Sequence, residues 1–372
     1  MGALPSTSGP VFEVNRQQPH GFSAARLRRD PAVRAILRHW RQLTAGTGTT
    51  PDRSTLIACS GGADSCGLVL ALRAAGRGNA GRLVVGHVVH DLRPEQESLA
   101  DRDAVRGLAA ALGLEFAEAR VRVRGGGGGG NLEARAREAR YAALAEMARE
   151  RGLKHVAVAH HADDQLETVL MSLMRGTGGA GIRGMRATRR LGPSVKLIRP
   201  MLAEGASVDR EACRRICSLA GVEWREDATN ADTSRLRAAV RHRVAPVLRE
   251  LRPDVGRRAI AAAEFAAATE RRLGRAANSL LGSASRGPGE ACWPRSELRR
   301  VDAIVLGELL RRAHRTLCGP RGADRLTKRS INAAVRAIRS SSTEPRRVAL
   351  GRMLIGVTSK AITCSTGGVC TR

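Results

Sequence analysis

The 372 residues carry 63 basic against 35 acidic side chains, a formal charge of +28, which fits a polyanionic partner because basic groups displace counterions condensed on phosphates. Only four of the basic residues are lysines, so part of the surplus is a compositional bias and charge alone favours RNA or DNA modestly. Disorder is excluded by 42% hydrophobic residues, a disulfide framework by eight scattered cysteines, and a membrane span by the want of any run near the ~20 apolar residues needed, with no secretory signal, so a cytoplasmic protein with no membrane partner is expected.

The length allows two domains with separate cores, and aromatics at 2% leave Ala, Leu and Val to build them. Residues 1–50 read as an N-terminal tail ending in a short helix over 31–43. From Pro51 strand-like and helical patterns alternate: a strand over 55–58, a helix over 65–75, a strand over 83–89 and a helix over 94–112. The rhythm resumes with a strand over 115–123, breaks at six glycines (125–130), and continues with a helix from Asn131, a plausible N-cap, to about Arg151. A strand over 155–159 runs into a helix over 163–174. This predicts an α/β domain over 51–250, a parallel sheet covered by helices, with ligands at the carboxyl ends of its strands. A strand over 195–199 and helices over 208–220 and 233–251 follow. Residues 251–372 read as a smaller, mainly helical domain, broken by a Gly/Ser/Pro stretch at 282–289, with β-like runs at 347–357 and 361–364.

The first chemistry-bearing motif is Ser60-Gly61-Gly62-Ala63-Asp64-Ser65. It leaves a strand and opens a helix, which aims backbone N–H groups and the positive end of the helix dipole at a bound phosphate. Ser60 and Ser65 add hydroxyl donors. Asp64 cannot assist a bare anion, and makes sense as a ligand to Mg²⁺ bridging the phosphates of a nucleotide. No G-x-x-x-x-G-K-[ST] sequence is present, which counts against a P-loop kinase or GTPase. The second constellation, Ala159-His160-His161-Ala162-Asp163-Asp164-Gln165-Leu166-Glu167-Thr168, follows a strand and so lies at the same sheet edge. Asp164 and Glu167 share a helical face, with His160 at the strand end. A carboxylate pair beside an imidazole suits Mg²⁺ binding and proton transfer, and two acids facing a nucleotide site should matter for turnover more than for stability. Cys213 and Cys217 share a helical spacing, but without further partners they read as packing.

The first loop resembles the S-G-G-x-D-S phosphate loop of enzymes that split ATP between the α and β phosphates. Within that group, A-H-H-x-D-D-Q-x-E-T resembles the tRNA(Ile)-lysidine synthetases. His87-Val-Val-His-Asp-Leu-Arg93, Glu133 to Tyr141, Arg175 to Met185, Arg199-Pro-Met-Leu202, Trp224 to Asn230 and Arg237-Ala-Ala-Val-Arg241 resemble further family segments in the same order. Three depart from the family pattern: Asp91 stands where Gly is usual, Ala238 where Asn is usual, and the Arg140-Tyr141 spacing is displaced by one. The Gly176-x-Gly178-x-x-Gly181 pattern follows a helix, so a dinucleotide fingerprint fails its context test.

The resemblance implies a Rossmann-like PP-loop ATP pyrophosphatase domain acting as a C–N ligase. ATP would adenylate the wobble cytidine of a tRNA(Ile) with a CAU anticodon, releasing pyrophosphate, and L-lysine would displace AMP. It implies ATP and Mg²⁺ as cofactors, ATP at residues 60–65, the metal on Asp64, and a catalytic set of Asp64, Arg140, His160, Asp164 and Glu167; the sequence does not give the oligomeric state, and a homodimer is left open. A tRNA-thiolating relative, an amidating relative acting on a small carboxylate, and a non-catalytic RNA-binding protein are the alternatives, and the absence of a C-x-x-C pair counts against the first.

Overall fold

The structure is a computed structural model that describes residues 22–46, 51–76, 81–92, 94–123, 132–176, 181–202, 208–225, 236–319 and 326–366. The expected tail up to residue 21, the six-glycine loop, the Asn131 cap, and parts of the segments expected at 175–185 and 224–230 lie outside the described residues. The chain divides into two compact units, Met1–Glu264 and Phe265–Arg372.

In the first unit, β1 (Thr55–Ala58), β2 (Leu83–His90), β3 (Glu115–Val121), β4 (His155–Ala157) and β6 (Lys196–Ile198) pair in parallel. β5 (Thr188–Arg190) runs antiparallel to β6 at the edge, and the spatial order is β3-β2-β1-β4-β6-β5. Helices link the parallel strands because such connections must cross a face of the sheet. They are α3 (Ala63–Arg73), α4 (Glu95–Ala111), α5 (Leu132–Glu150) and α6 (Ala162–Met174). The two-residue period of β1 sorts its side chains between two cores. Leu56 joins Tyr141, Leu144 and Met147 of α5 on one face, and Ile57 joins Leu68, Val69 and Leu72 of α3 on the other.

α1 (Ala24–Arg29) and α2 (Pro31–Leu43) belong to that second core. Asp30 caps α2 by accepting from the Ala32 and Val33 N–H groups at 2.8 and 3.3 Å, with Pro31 at the first helical position. Val33, Ile36, Leu37 and Trp40 then recur on one face and are buried, each large apolar side chain contributing about 1.5–3 kcal/mol. Trp40 Nε1 donates to Thr55 Oγ1 at 3.2 Å, tying this helix to β1. α7 (Arg210–Leu219) packs against α3 so closely that a Cβ on Gly67 would stand 3.3 Å from the Cys213 backbone.

Chain direction decides where a ligand goes. From β1 the chain steps outward through β2 and β3, then returns to place β4 on the other side of β1. The strand order therefore reverses between β1 and β4, and the loops leaving those two strands flank the crevice where open parallel sheets bind ligands.

The second unit is an antiparallel sheet, β7-β8-β11-β10-β9 in spatial order, with helices against it. The β-like runs expected near 347–357 and 361–364 form β9 (Arg346–Leu350), β10 (Met353–Val357) and β11 (Ala361–Thr366). β7 (Ser285–Gly287) and β8 (Glu290–Pro294) arise where the sequence shows a Gly/Ser/Pro break and a short apolar run. Its core gathers Trp293, Leu306, Leu309, Leu310, Ile338 and Ile355.

Candidate active site

The loop after β1 is shaped by its own short bonds. Gly61 has φ +95°, a left-handed conformation that a side chain resists. Ser65 Oγ donates to the Gly62 carbonyl at 2.9 Å and accepts from the Ser60 N–H at 3.1 Å, closing the turn. Gly62 is the N-cap of α3 and offers no side-chain acceptor, so the first-turn N–H groups have no cap. Ser60 is exposed, Gly62 and Asp64 are half-buried, and Gly61, Ala63 and Ser65 are buried. A second segment brackets the loop: the Arg225 N–H donates to the Gly61 carbonyl at 3.0 Å, while Arg225 Nε pairs with buried Asp101 at 2.6 Å.

The loop after β4 brings the second constellation beside the first. His160 and His161 are successive residues leaving an extended strand, so they point to opposite sides. His161, not His160, reaches the phosphate loop, with Nε2 3.2 Å from Asp64 Oδ2. His161 is wholly buried. Burial opposes its charged form, but Asp164, Asp64 and Asp163 outweigh it and raise its pKa to about 9. Carboxylate oxygens at 3.2, 3.6 and 3.8 Å favour the imidazolium; the 3.3 Å contact in which Nδ1 accepts from the Asp163 N–H belongs to the neutral form.

Asp164 and Glu167 do lie together on α6, both buried, but not as a bare acid pair. Glu167 accepts from Arg237 Nε at 2.8 Å and from Arg241 Nε at 2.6 Å, and Arg237 Nη2 also reaches Asp164 Oδ1 at 3.3 Å. Burial would raise the Asp164 carboxyl, yet His161, Arg237 and the His161 N–H hold it far below the usual carboxylate range. The two arginines stand on either side of the start of a π-helical turn, Val240–Val244, a rare geometry that is frequent at functional sites. The expectation that these acids matter little for stability does not fit this geometry.

On the far side of the dipeptide, His160 Nδ1 accepts from Arg199 Nε at 2.9 Å. Burial, with Arg199, Arg137 and Arg140 repelling a proton, lowers its pKa to about 3 against the pull of Asp164. His160 is therefore neutral with its proton on Nε2. Arg140 is exposed, 5.8 Å over the Tyr141 ring, on this side of the site.

A family model described as a PP-loop domain matches residues 35–248. The chain belongs to the PP-loop family. Its ATP-binding domain thus spans more than half of the chain and contains both motifs. The chain is similar to the tRNA(Ile)-lysidine synthase of Thermus thermophilus, 40% identical over 233 residues covering 62% of this chain and 43% of the relative. The tRNA(Ile)-lysidine synthase of Geobacter sulfurreducens is 35% identical over 252 residues, 67% of this chain and 52% of the relative, and that of Alkalilimnicola ehrlichii is 39% identical over 241, 65% and 52%. The chain spans about half the length of the curated relatives it matches. Among solved structures, a U34-tRNA thiolase from Methanococcus maripaludis is 14% identical with a TM-score of 0.49, covering 63% of this chain and 79% of that chain, a likeness too distant to bear on function.

Within this PP-loop domain, a divalent cation is compatible with Asp64. Its Oδ1 is buried without a hydrogen-bond partner while Oδ2 faces His161. Among the described residues no group of three or more His, Cys, Asp or Glu side chains could hold a metal alone. One carboxylate plus phosphate oxygens is a usual Mg²⁺ donor set. His161, Arg199, Arg237 and Arg241 are the residues that motif reading left out of the site. All four stand in quoted family segments, but nothing in their spacing says which acid or imidazole they meet.

Proposed function

We propose that this chain catalyses ATP-dependent ligation of L-lysine to the wobble cytidine of a tRNA(Ile) with a CAU anticodon, through an adenylated tRNA and with release of AMP and pyrophosphate. The observation that supports this reading best is the meeting of Asp64 with the buried acids of α6 through His161, at the point where the strand order reverses. It rests also on the similarity to the synthases of T. thermophilus and G. sulfurreducens.

The residues divide the work as follows. The uncapped turn of α3, with Ser60, holds the β and γ phosphates through N–H and hydroxyl donors. Mg²⁺, held by Asp64, supplies charge neutralisation on those phosphates when bound. His161 keeps Asp64 oriented and adds positive charge near the phosphates. Asp164 and Glu167 form an acidic floor suited to an ammonium, which at present is filled by Arg237 and Arg241; the lysine amine reaches it by taking the place of a guanidinium. The second unit is assigned to the tRNA backbone, with Arg336, Arg339, Arg346 and Arg347 exposed around one groove. A cytoplasmic location and a homodimer go with this reading. The thiolating alternative needs a reactive thiol, whereas Cys213 and Cys217 are buried and burial pushes Cys217 up to about 12.

The test is mass analysis of cytidine nucleosides after incubation with ATP, lysine and a CAU-anticodon tRNA, with nucleotide products followed in parallel. A cytidine heavier by a lysyl group, with AMP in equal amount, is the expected result. ADP as the product, or sulfur incorporation, would refute it.

A further inference from the structure

One cluster beside the site has no part in the scheme above. Tyr141, the one tyrosine of the sequence, is 4% exposed and is ringed by guanidinium groups from three separate elements. Arg137 and Arg140 of α5 lie 5.6 and 5.8 Å from its ring centroid, and Arg189 of β5 lies at 5.4 Å. Arg137 Nη2 also donates to the Tyr141 hydroxyl at 3.3 Å. Arg199, buried just after β6, completes the set and reaches back to His160.

Gathering Arg137, Arg189 and Arg199 without an anion is costly. The contact of Arg137 and Arg189 with the ring face offsets part of this, but like charges gathered around one ring repel one another even in a well-screened setting. Among the described residues, the ion pairs of this neighbourhood run from Arg210, Arg249, Arg237 and Arg241 to Asp64, Asp163, Asp164 and Glu167. None runs to Arg137, Arg189 or Arg199. Three titrating groups register the resulting field. His160 is pushed down by burial and, beyond that, by Arg199, Arg137 and Arg140, the Tyr141 hydroxyl is drawn below its ordinary value by Arg137 and Arg199 against its burial, and Arg199 is itself lowered by burial and by Arg137 and Arg189.

Placement says what kind of anion belongs there. His160 and Arg199 follow β4 and β6, so the cluster sits on the carboxyl edge of the sheet. It lies across the His160–His161 dipeptide from the phosphate loop, because His161 turns to Asp64 while His160 turns to Arg199. The geometry points to a second phosphate site, in which Arg137, Arg189 and Arg199, gathered on Tyr141, hold a phosphodiester of the RNA strand beside the nucleotide that reacts with ATP. This rests on the reading of RNA as the substrate. Planar guanidinium forks from several directions suit a phosphate's oxygens, and their fixed geometry distinguishes them from the mobile ammonium of lysine.

The same chemistry would take free pyrophosphate, so the experiment separates the two sources. The full chain and its Arg137→Ala and Arg189→Ala variants, both altered at side chains with solvent access, are compared by thermal melts and then by two binding measurements. An anticodon stem-loop RNA is titrated by filter binding at several salt concentrations without ATP, and pyrophosphate is titrated without RNA. Each substitution is expected to weaken RNA binding and to reduce the log–log salt slope by about 0.7, the value for one single-strand phosphate contact, with pyrophosphate affinity unchanged. A stem-loop with neutral methylphosphonate linkages flanking the target cytidine should bind the parent chain as weakly as the variants, and bind the variants no more weakly still. Unchanged RNA affinity and slope in both variants, or loss of pyrophosphate binding with RNA binding intact, would overturn the site. Failure of the chain to incorporate lysine would refute the ligation reading alone, since these measurements require no turnover.

Discussion

Glu167→Ala tests how the acidic floor is held. The carboxylate is 1% exposed and takes bonds from two guanidinium groups, while Arg237 and Arg241 keep 27% and 19% of their side-chain surface. Breaking a buried ion pair by removing one partner costs about 3–5 kcal/mol. The partial exposure of both arginines lets water replace some of what they lose, so about 3 kcal/mol is the appropriate end of that range. For a cooperative unit of this size that corresponds to roughly 6–12 °C in Tm. The assay is thermal and urea unfolding followed by circular dichroism, with the Glu167→Ala, Arg241→Ala and double variants forming a cycle. The double variant should lose less than the sum of the two single variants, because each single change leaves a charge stranded. If Glu167→Ala melts with the parent chain, the ion pairs contribute nothing to stability and the acids are a bare pair after all.

Asp64→Asn should abolish pyrophosphate release and also lower the melting temperature, since it removes the charge that Oδ2 presents to the buried His161 imidazolium at 3.2 Å; a radiolabelled ATP assay and thermal melts check this. Gly61→Ala places a side chain at φ +95° and should cost about 1–3 kcal/mol of local strain, seen as a raised KM for ATP. His160 is neutral when folded, with a pKa near 3 against an ordinary 6.5, so the unfolded chain binds a proton that the folded one refuses. Its contribution to stability is present above pH 6.5 and is lost as pH falls towards 3, and urea midpoints of His160→Gln should show a flatter decline over that window. A fragment ending at Glu264 should bind ATP but hold tRNA with a smaller salt slope than the full chain, which filter binding at graded salt measures.

Much of the first unit is legible in the sequence. The switch from a two-residue to a 3.6-residue period, with glycines and a carboxylate at the junction, marks both strand-to-helix loops, because local chemistry determines them. What could not be read is which distant group each loop meets. Arg237 and Arg241 lie 70 and 74 positions from Glu167, and in a chain so rich in arginine no periodicity singles them out. The choice between His160 and His161 likewise depends on which way the last residues of β4 face. Reading the carboxylate of α6 next to the strand-end histidine favoured His160, but strand alternation turns that side chain away from the phosphate loop and towards Arg199.

The arginine bias that weakens charge as evidence at the level of composition becomes informative once positions are known. An arginine against a carboxylate, as with Arg249 and Asp163 at 2.8 Å, is consumed by the fold. One held on an aromatic ring with other arginines beside it is not. The surplus of +28 is therefore better judged by how much of it stays uncompensated at the sheet's carboxyl edge than by its total. There, Arg137 and Arg189 oppose the charge on Arg199, and burial together with Arg199 and Arg137 pushes the proton off His160. A fold that needed only packing around Tyr141 could meet that need with apolar side chains at lower electrostatic cost, so the retained cations argue for an anion that arrives from outside the chain.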